Sequence, residues 1–417
     1  MPERNVQRVA VVSGVRTPFA KAGTALRKYS FQELGVHAVR ALVERSGIEA
    51  SAIDECVFGT VLLDPRTPNW AREIVFAANL PKSIYAHSVS NNCISGLVAV
   101  TDIAERIQLG LSHCGIAGGS ESMSRPALLY SERGARAFLE FFRARSIGER
   151  ARALSRLRPR DFLPAAPAVT EPSTGLTMGQ HMEITAQELG ISREAQGEVA
   201  LASHRNAAVA TDDGRLTAEI APLDGIARDT LIRADTSIDK LKRLRPVFEK
   251  SDKGTLTAGN SSPLTDGASA VLLMSEQRAN ELGFEPLAFI RSYRYAAIDP
   301  RDGLLMAPAI AVPELLRAEG LTFDDFDLIE IHEAFGAQVV ANIQAWEQGW
   351  KLPAVGSVDR SKVNVLGGSI AIGHPFAATG GRILTTLANE MKRRNARRGL
   401  ISICAAGAMA GAMILER

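Results

Sequence analysis

A repeated order of segments limits the fold more than any other feature of this sequence. The stretch GASAVLLMSE (267–276) has a counterpart near the end, GAMAGAMILE (407–416). Early in the chain, HAVRALVERSG (37–47) spaces its apolar residues as an amphipathic helix ended by glycine, and the strand-like ECVFGTVL (55–62) follows. VPELLRAEG (312–320) stands in the same relation to FDLIEIH (326–332). A helical stretch from Cys93 to about Gly110 leads into the apolar CGIAGG (114–119), and a helix from Gly381 to Lys392 leads into GLISIC (399–404). Alternating strands and helices indicate an α/β protein. Their recurrence indicates two related halves, with chance similarity among α/β segments as the alternative. At 417 residues there is chain enough for both cores.

The segment from about Ser124 to Lys250 differs in character. Residues 131–160 are rich in arginine with interleaved Phe, Leu and Ile, and Pro159, Pro164, Pro167 and Pro172 mark an irregular stretch. This reads as an insertion that covers a site or offers a basic surface, or else as a solvated helix pair. The expected organisation is a first half over 1–123 completed by 251–276, an insertion over 124–250, and a second half over 277–417.

Net charge is only +2, so nothing calls for a nucleic-acid partner. The four cysteines, Cys56, Cys93, Cys114 and Cys404, include no C-x-x-C pair. That argues against a disulfide framework or a structural zinc site and fits a reducing compartment. RVAVVS (8–13) opens a strand almost at once with no leader before it, and no apolar run approaches the roughly 20 residues of a membrane span. A cytoplasmic location is expected.

Four stretches carry groups able to do chemistry. In NNCISG (91–96), Asn91 or Asn92 can cap the helix that follows, whose N-terminus would favour a Cys93 thiolate; a packed core thiol is the alternative. NVLGGSIAIGHPFAATGG (364–381) allows close backbone approach and sets His374 at a loop-to-helix junction, where it could take a thiol proton. It lacks the Lys-Ser/Thr pair of a phosphate loop. In IEIHEAFG (329–336), His332 and Glu333 follow an apolar strand, where α/β catalytic groups often sit. Gly336 stands where a zinc H-E-x-x-H helix has its second histidine, so no metal is expected. ISICAAG (401–407) puts Cys404 at another strand end.

Taken in order, Cys93 in NCISG, HEAF (332–335), GHP (373–375) and CAAG (404–407) resemble the thiolase family. SDKGTLTAGNSSPLTDGA (251–268) is similar to the stretch closing the thiolase N-terminal half, so the likeness covers essentially the whole chain. Most members carry Asn where His332 stands and Gly where Ala406 stands. These departures, with RLRPRDFLPAAPA (156–168) and STGLTMG (173–179), resemble the branch of the trifunctional-enzyme β subunit and its bacterial counterparts.

The resemblance implies two duplicated βαβαβαββ halves in a five-layer α-β-α-β-α arrangement with an inserted loop domain. It implies a 3-ketoacyl-CoA thiolase of fatty-acid β-oxidation with Cys93 as nucleophile, His374 as general base and Cys404 as second acid/base. His332, with His374, would hold the enolate oxygen, and the Cys93 and Ala406 backbone N–H groups the acyl-enzyme oxygen. Glu333 would orient its neighbours. Ser262, Met178 and Arg233 would contact coenzyme A, a co-substrate; no tightly bound cofactor is implied. Expected partners are acyl-CoA and CoA, a second copy in a homodimer or dimer of dimers, and, through the Arg143 to Arg160 region, a hydratase/dehydrogenase α subunit or a membrane surface. The alternatives are a biosynthetic acetoacetyl-CoA thiolase, a decarboxylating ketoacyl synthase, for which Cys404 has no use, and a non-catalytic lipid carrier or scaffold.

Overall fold

The computed structural model describes residues 7–164 and 170–417; Pro167 and the end of the 156–168 stretch lie outside them. In chain order come β1 (Val9–Arg16), β2 (Ala20–Lys21), α1 (Phe31–Ser46), β3 (Glu55–Gly59), α2 (Trp70–Ala77), β4 (Tyr85–Val89), α3 (Ser95–Gln108) and β5 (Cys114–Glu121). The insertion supplies α4 (Glu132–Arg143), α5 (Ile147–Ser155), α6 (Met178–Glu188), α7 (Arg193–Asp212) and α8 (Ile238–Lys242). Then follow β6 (Thr265–Ser275), α9 (Glu276–Glu281), β7 (Ala288–Ala297), α10 (Pro308–Glu319), β8 (Leu328–Ile331), α11 (Gly336–Gln348), α12 (Ser369–Ile372), α13 (Ala378–Arg394), β9 (Arg398–Ala405) and β10 (Met409–Glu416).

The helix ends follow local rules. Ser30 and Glu33 form a capping box that starts α1 earlier than its apolar spacing suggests, and Gly47 ends it at φ 70°. Gly320 ends α10 in the same left-handed conformation.

Strand order shows the duplication. The path runs β4-β3-β5-β6-β1-β7-β10-β9-β8, with β2 paired to β6. On one side of the β1–β7 junction the order, read outward and leaving the two-residue β2 aside, is first, last, fourth, second and third strand of the half. On the other side it is first, last, next-to-last and second, and among the described residues no strand stands as the counterpart of β4. Parallel pairs β3–β4, β3–β5 and β8–β9 combine with antiparallel pairs to β6, β7 and β10.

Three cores make the layers. α1 and α2 pack on one face of the first half around Leu34, Phe58, Trp70 and Leu272. α3 and α13 fill the space between the halves, with Leu97, Ile103, Ile383, Leu387 and Ile401 in one cluster. α10 and α11 cover the outer face of the second half around Leu316, Phe326 and Trp346. The result is helix, sheet, helix, sheet, helix.

The middle layer positions the chemistry. At Gly96 of α3 a Cβ would come within 2.3 Å of the Ala377 carbonyl, and at Gly380 of α13 within 2.4 Å of the Leu97 nitrogen. The two helix starts, one just after Cys93 and the other just after His374, therefore meet backbone to backbone.

Candidate active site

Cys93 lies in the turn between β4 and α3 and is partly exposed, whereas His332, His374 and Cys404 are buried. Its sulfur and a ring nitrogen from each of His332 and His374 all lie within 4.8 Å of one another. The two imidazoles lie with centroids 4.1 Å apart, their planes tilted by 44°. His332 comes from the end of β8 and His374 from the loop before α13; Cys404 comes from β9. The fold thus gathers residues separated by most of the chain.

Each imidazole is held from behind. His374 Nδ1 lies 2.6 Å from Thr379 Oγ1, and its backbone N–H donates to Thr265 Oγ1 at 3.1 Å. His332 Nδ1 lies 2.9 Å from Ser369 Oγ. Both Nε2 atoms are buried without a hydrogen-bond partner. Glu333 turns away from the reacting groups: its carboxylate accepts from Ser203 Oγ at 2.7 Å, Asn364 Nδ2 at 2.6 Å and the Ile370 N–H at 3.1 Å.

Burial sets the protonation states. It pushes the Cys93 thiol up to about 12, although the N–H groups of Ala406 and of Cys93 itself pull it back. Burial, aided by the Arg382 charge, lowers His374 to about 3. His332 is held well below the usual imidazole range by burial and then by its neighbours His374 and Arg382. Burial raises Cys404 further, and the nearby Cys93 adds to it. Burial thus favours neutral thiols and neutral imidazoles in the site.

Burial works against the Cys93 thiolate, and the expected asparagine cap is not formed: neither Asn91 nor Asn92 caps α3. The cap position is Ile94, with no side-chain hydrogen bond. Asn92, at φ 48°, instead donates from Nδ2 to the Ala406 carbonyl at 3.0 Å and ties the Cys93 turn to the Cys404 loop.

A thiol that can add to a carbonyl, an imidazole to take its proton and a second thiol close by are groups suited to covalent acyl transfer. The comparisons supply the family. Residues 9–277 match the family described as "Thiolase, N-terminal domain", and residues 284–417 match "Thiolase, C-terminal domain". The chain belongs to the thiolase family. It is 45% identical over 426 residues to a 3-ketoacyl-CoA thiolase of Yersinia enterocolitica, covering 99% of this chain and 98% of that protein. Among solved structures, the acetyl-CoA acetyltransferase of Bacillus anthracis superposes with a TM-score of 0.84 at 32% identity, covering 99% and 100% of the two chains. A thiolase from Ascaris suum in complex with coenzyme A gives 0.83 at 30%, with the same coverage.

Within this thiolase frame, Ala406 needs no glycine. It is not among the residues with positive φ; the turn is made by Gly407 at φ 77° and Ala408 at φ 54°. Of the three residues assigned to coenzyme A, Ser262 is half-buried and donates its N–H to the Ala334 carbonyl at 2.9 Å, beside His332. Met178 opens α6 and packs on the cluster holding Phe335 and Cys404. Arg233 is exposed, with its backbone N–H on His204 Nδ1. The first two thus border the site, while Arg233 lies on the insertion surface.

Several residues about the site escaped the sequence reading. Buried Glu121, at the end of β5, accepts from Thr60 Oγ1 and the N–H groups of Val61 and Leu62, and the Ala377 N–H also reaches it. It ties the segment after β3 and the turn before α13 to the end of β5, close enough for its charge to act on Cys93, and burial raises its carboxyl to about 7. A carboxylate at the end of an apolar strand is the signal that singled out Glu333 and could have found it. Glu171 of the insertion accepts from the Gly407 N–H at 3.0 Å and braces the Cys404 loop; nothing local marks it. No H-E-x-x-H helix or C-x-x-C pair is present, yet the fold brings His374 and Cys93 to His332 from distant segments, a set of donor atoms of the zinc type.

Proposed function

We propose that this thiolase cleaves 3-oxoacyl-CoA with CoA, giving acetyl-CoA and an acyl-CoA two carbons shorter. The observation that carries this reading is the meeting of Cys93, His332 and His374 within 4.8 Å, beside Cys404. Cys93 Sγ attacks the 3-keto carbon while His374 Nε2 takes the thiol proton; with both groups neutral at rest, transfer accompanies C–S bond formation. The C2–C3 bond breaks, leaving its electron pair in an acetyl-CoA enolate that Cys404 protonates. CoA then gives its thiol proton to Cys404 and attacks the acyl-enzyme, and Cys93 leaves with the proton held on His374. His332 and His374 serve the enolate oxygen, and the Cys93 and Ala406 N–H groups, both aimed at the sulfur, serve the acyl oxygen.

A degradative rather than biosynthetic role is part of the proposal, supported by the likeness to 3-ketoacyl-CoA thiolases. Thiolysis of a series of 3-oxoacyl-CoA lengths tests it. Activity should extend to chains of about eight carbons and beyond, and strong preference for acetoacetyl-CoA would reverse the assignment. Cys93→Ala should lose thiolysis by at least about a thousandfold. Activity within about tenfold of the parent would end the catalytic reading.

The α4–α5 hairpin supports a further part of the proposal, peripheral contact with an anionic lipid surface. Residues 131–163 carry nine arginines against four acidic residues, and Phe142 and Ile147 are 77% and 85% exposed. Among the described residues no helix is long and apolar enough to cross a membrane. Anionic vesicles should co-sediment the protein at low salt and release it at high salt. Absence of binding, with capture of a hydratase/dehydrogenase subunit instead, would assign the hairpin to that partner. The edge strand β4, with exposed Tyr85 and neighbouring Phe76 and Leu63, supports pairing with a second copy, which sedimentation velocity would test.

A further inference from the structure

Arg382 lies in α13 and is 0% exposed. Its Nη2 donates to Ser369 Oγ at 3.0 Å, while Nε and Nη1 have no hydrogen-bond partner among the described residues. Glu330 stands 3.6 Å from Nη1, a neighbouring charge rather than a bonded one. A buried guanidinium thus spends its one hydrogen bond on a serine. Among the described residues, Ser369 Oγ bonds to one other group, His332 Nδ1, at 2.9 Å.

Proton counting then decides the state of His332. Ser369 has one hydroxyl hydrogen, and arginine has no acceptor to receive it. That hydrogen must go to His332 Nδ1, which presents its lone pair. A neutral imidazole with a bare Nδ1 carries its hydrogen on Nε2. With the opposite tautomer, Nδ1–H and Nη2–H would both point at Oγ and strand the serine hydrogen, buried and without an acceptor. The positive charge of Arg382 behind the ring also opposes a second proton. At His374 no cation stands behind the hydroxyl: Nδ1 faces Thr379 Oγ1 at 2.6 Å, and either atom can be the donor there.

We propose that Arg382 and Ser369 form a positioning relay that fixes the His332 hydrogen on Nε2, so that His332 faces the reaction as a donor and not as a second base. This rests on the thiolase reading only for what the donor serves, the enolate oxygen. It also puts a hydrogen where a metal would need a lone pair.

Nitrogen NMR of the full-length protein labelled at histidine tests the relay, with the His332 signal assigned by its loss in His332→Asn. The parent protein should show Nε2 protonated and Nδ1 bare; the reverse overturns the proposal, whatever the variants do. Ser369→Ala should let the Nδ1–H form appear and lower kcat about tenfold to a hundredfold, with KM changed less than about threefold. Ser369→Thr, which keeps the hydroxyl, should restore both. Arg382→Met should give a mixture of tautomers, because Ser369 can then accept as well as donate; a single Nε2–H form there would remove Arg382 from the relay. Ser369→Ala with an unchanged tautomer and kcat would remove Ser369. Should the parent show no thiolysis, the functional reading fails while the spectra still judge the relay.

Discussion

At the scale of single residues, the reacting groups behave as their surroundings require rather than as their sequence neighbours suggest. Burial pushes Cys93 up to about 12 and pulls His374 down to about 3, which favours the neutral thiol and neutral imidazole over a thiolate–imidazolium pair at rest. A consequence is testable in the first half-reaction. Release of acetyl-CoA on acylation of Cys93, followed by rapid mixing, should hold its rate from about pH 8 down to about pH 5, without the fall near 6.5 of an ordinary imidazole. A limb near 6.5 would show that His374 is more solvated than the fold allows. Stability carries the same signature with a definite sign. Because the folded values of His332 and His374 are depressed, their contribution is full above the unfolded value of about 6.5 and is lost as pH falls through the folded values. The thermal midpoint should decline from about pH 6.5 downward, less steeply in His332→Asn. The identity of these residues was legible because each sits at a strand end or in a glycine-rich loop. Their protonation was not, because burial is set by segments hundreds of residues away.

At the scale of elements, the backbone contact of α3 and α13 does what neither helix could do alone. Gly96 and Gly119 both face the Ala377 carbonyl, and a Cβ would come within 2.3 and 2.1 Å of it. These glycines hold the Cys93 turn and the His374 loop at their working separation. Gly96→Ala should cost about 1–3 kcal/mol in urea unfolding. Thiolysis should fall further than that loss explains, because the nucleophile and base are pushed apart. Gly407 acts through its conformation instead: at φ 77° a side chain is strained, and a Cβ would meet the Met409 methyl at 3.1 Å. Gly407→Ala should therefore disturb the Cys404 loop, whereas Ala406→Gly should leave activity within a few-fold. The core elements were legible from periodicity and end signals: α3, α10, α13, β5 and β9 lie where the pattern puts them. The insertion was read as an arginine-rich segment that covers a site or offers a basic surface, with Met178 and Arg233 placed at coenzyme A by resemblance. Its α7 supplies Ser203, and the chain before α6 supplies Glu171, yet neither brace has a local signature.

At the scale of the whole molecule, the duplication was legible because each half repeats its own order of strand and helix. What joins the halves to the insertion was not, since it depends on pairs far apart in sequence. Arg16 at the end of β1 is wholly buried and binds Asp229 of the insertion through two hydrogen bonds of 2.6 and 2.8 Å. Glu219, also of the insertion, lies 3.6 Å from Arg16 Nε and accepts from Thr386 of α13 at 2.9 Å. One cation therefore links the first half, the insertion and, through Glu219, the helix that carries the His374 loop. Burying an ion pair gives little net stability, but removing one member leaves the other charge without compensation. Arg16→Met strands two buried carboxylates and should cost about 3–5 kcal/mol in urea unfolding. Asp229→Asn keeps the shape and one acceptor and should cost less. If Arg16→Met unfolds no more easily than the parent, the three parts are held by apolar packing alone. If it is destabilised but still cleaves substrate at the parental rate in the cold, the cation secures assembly without tuning the site.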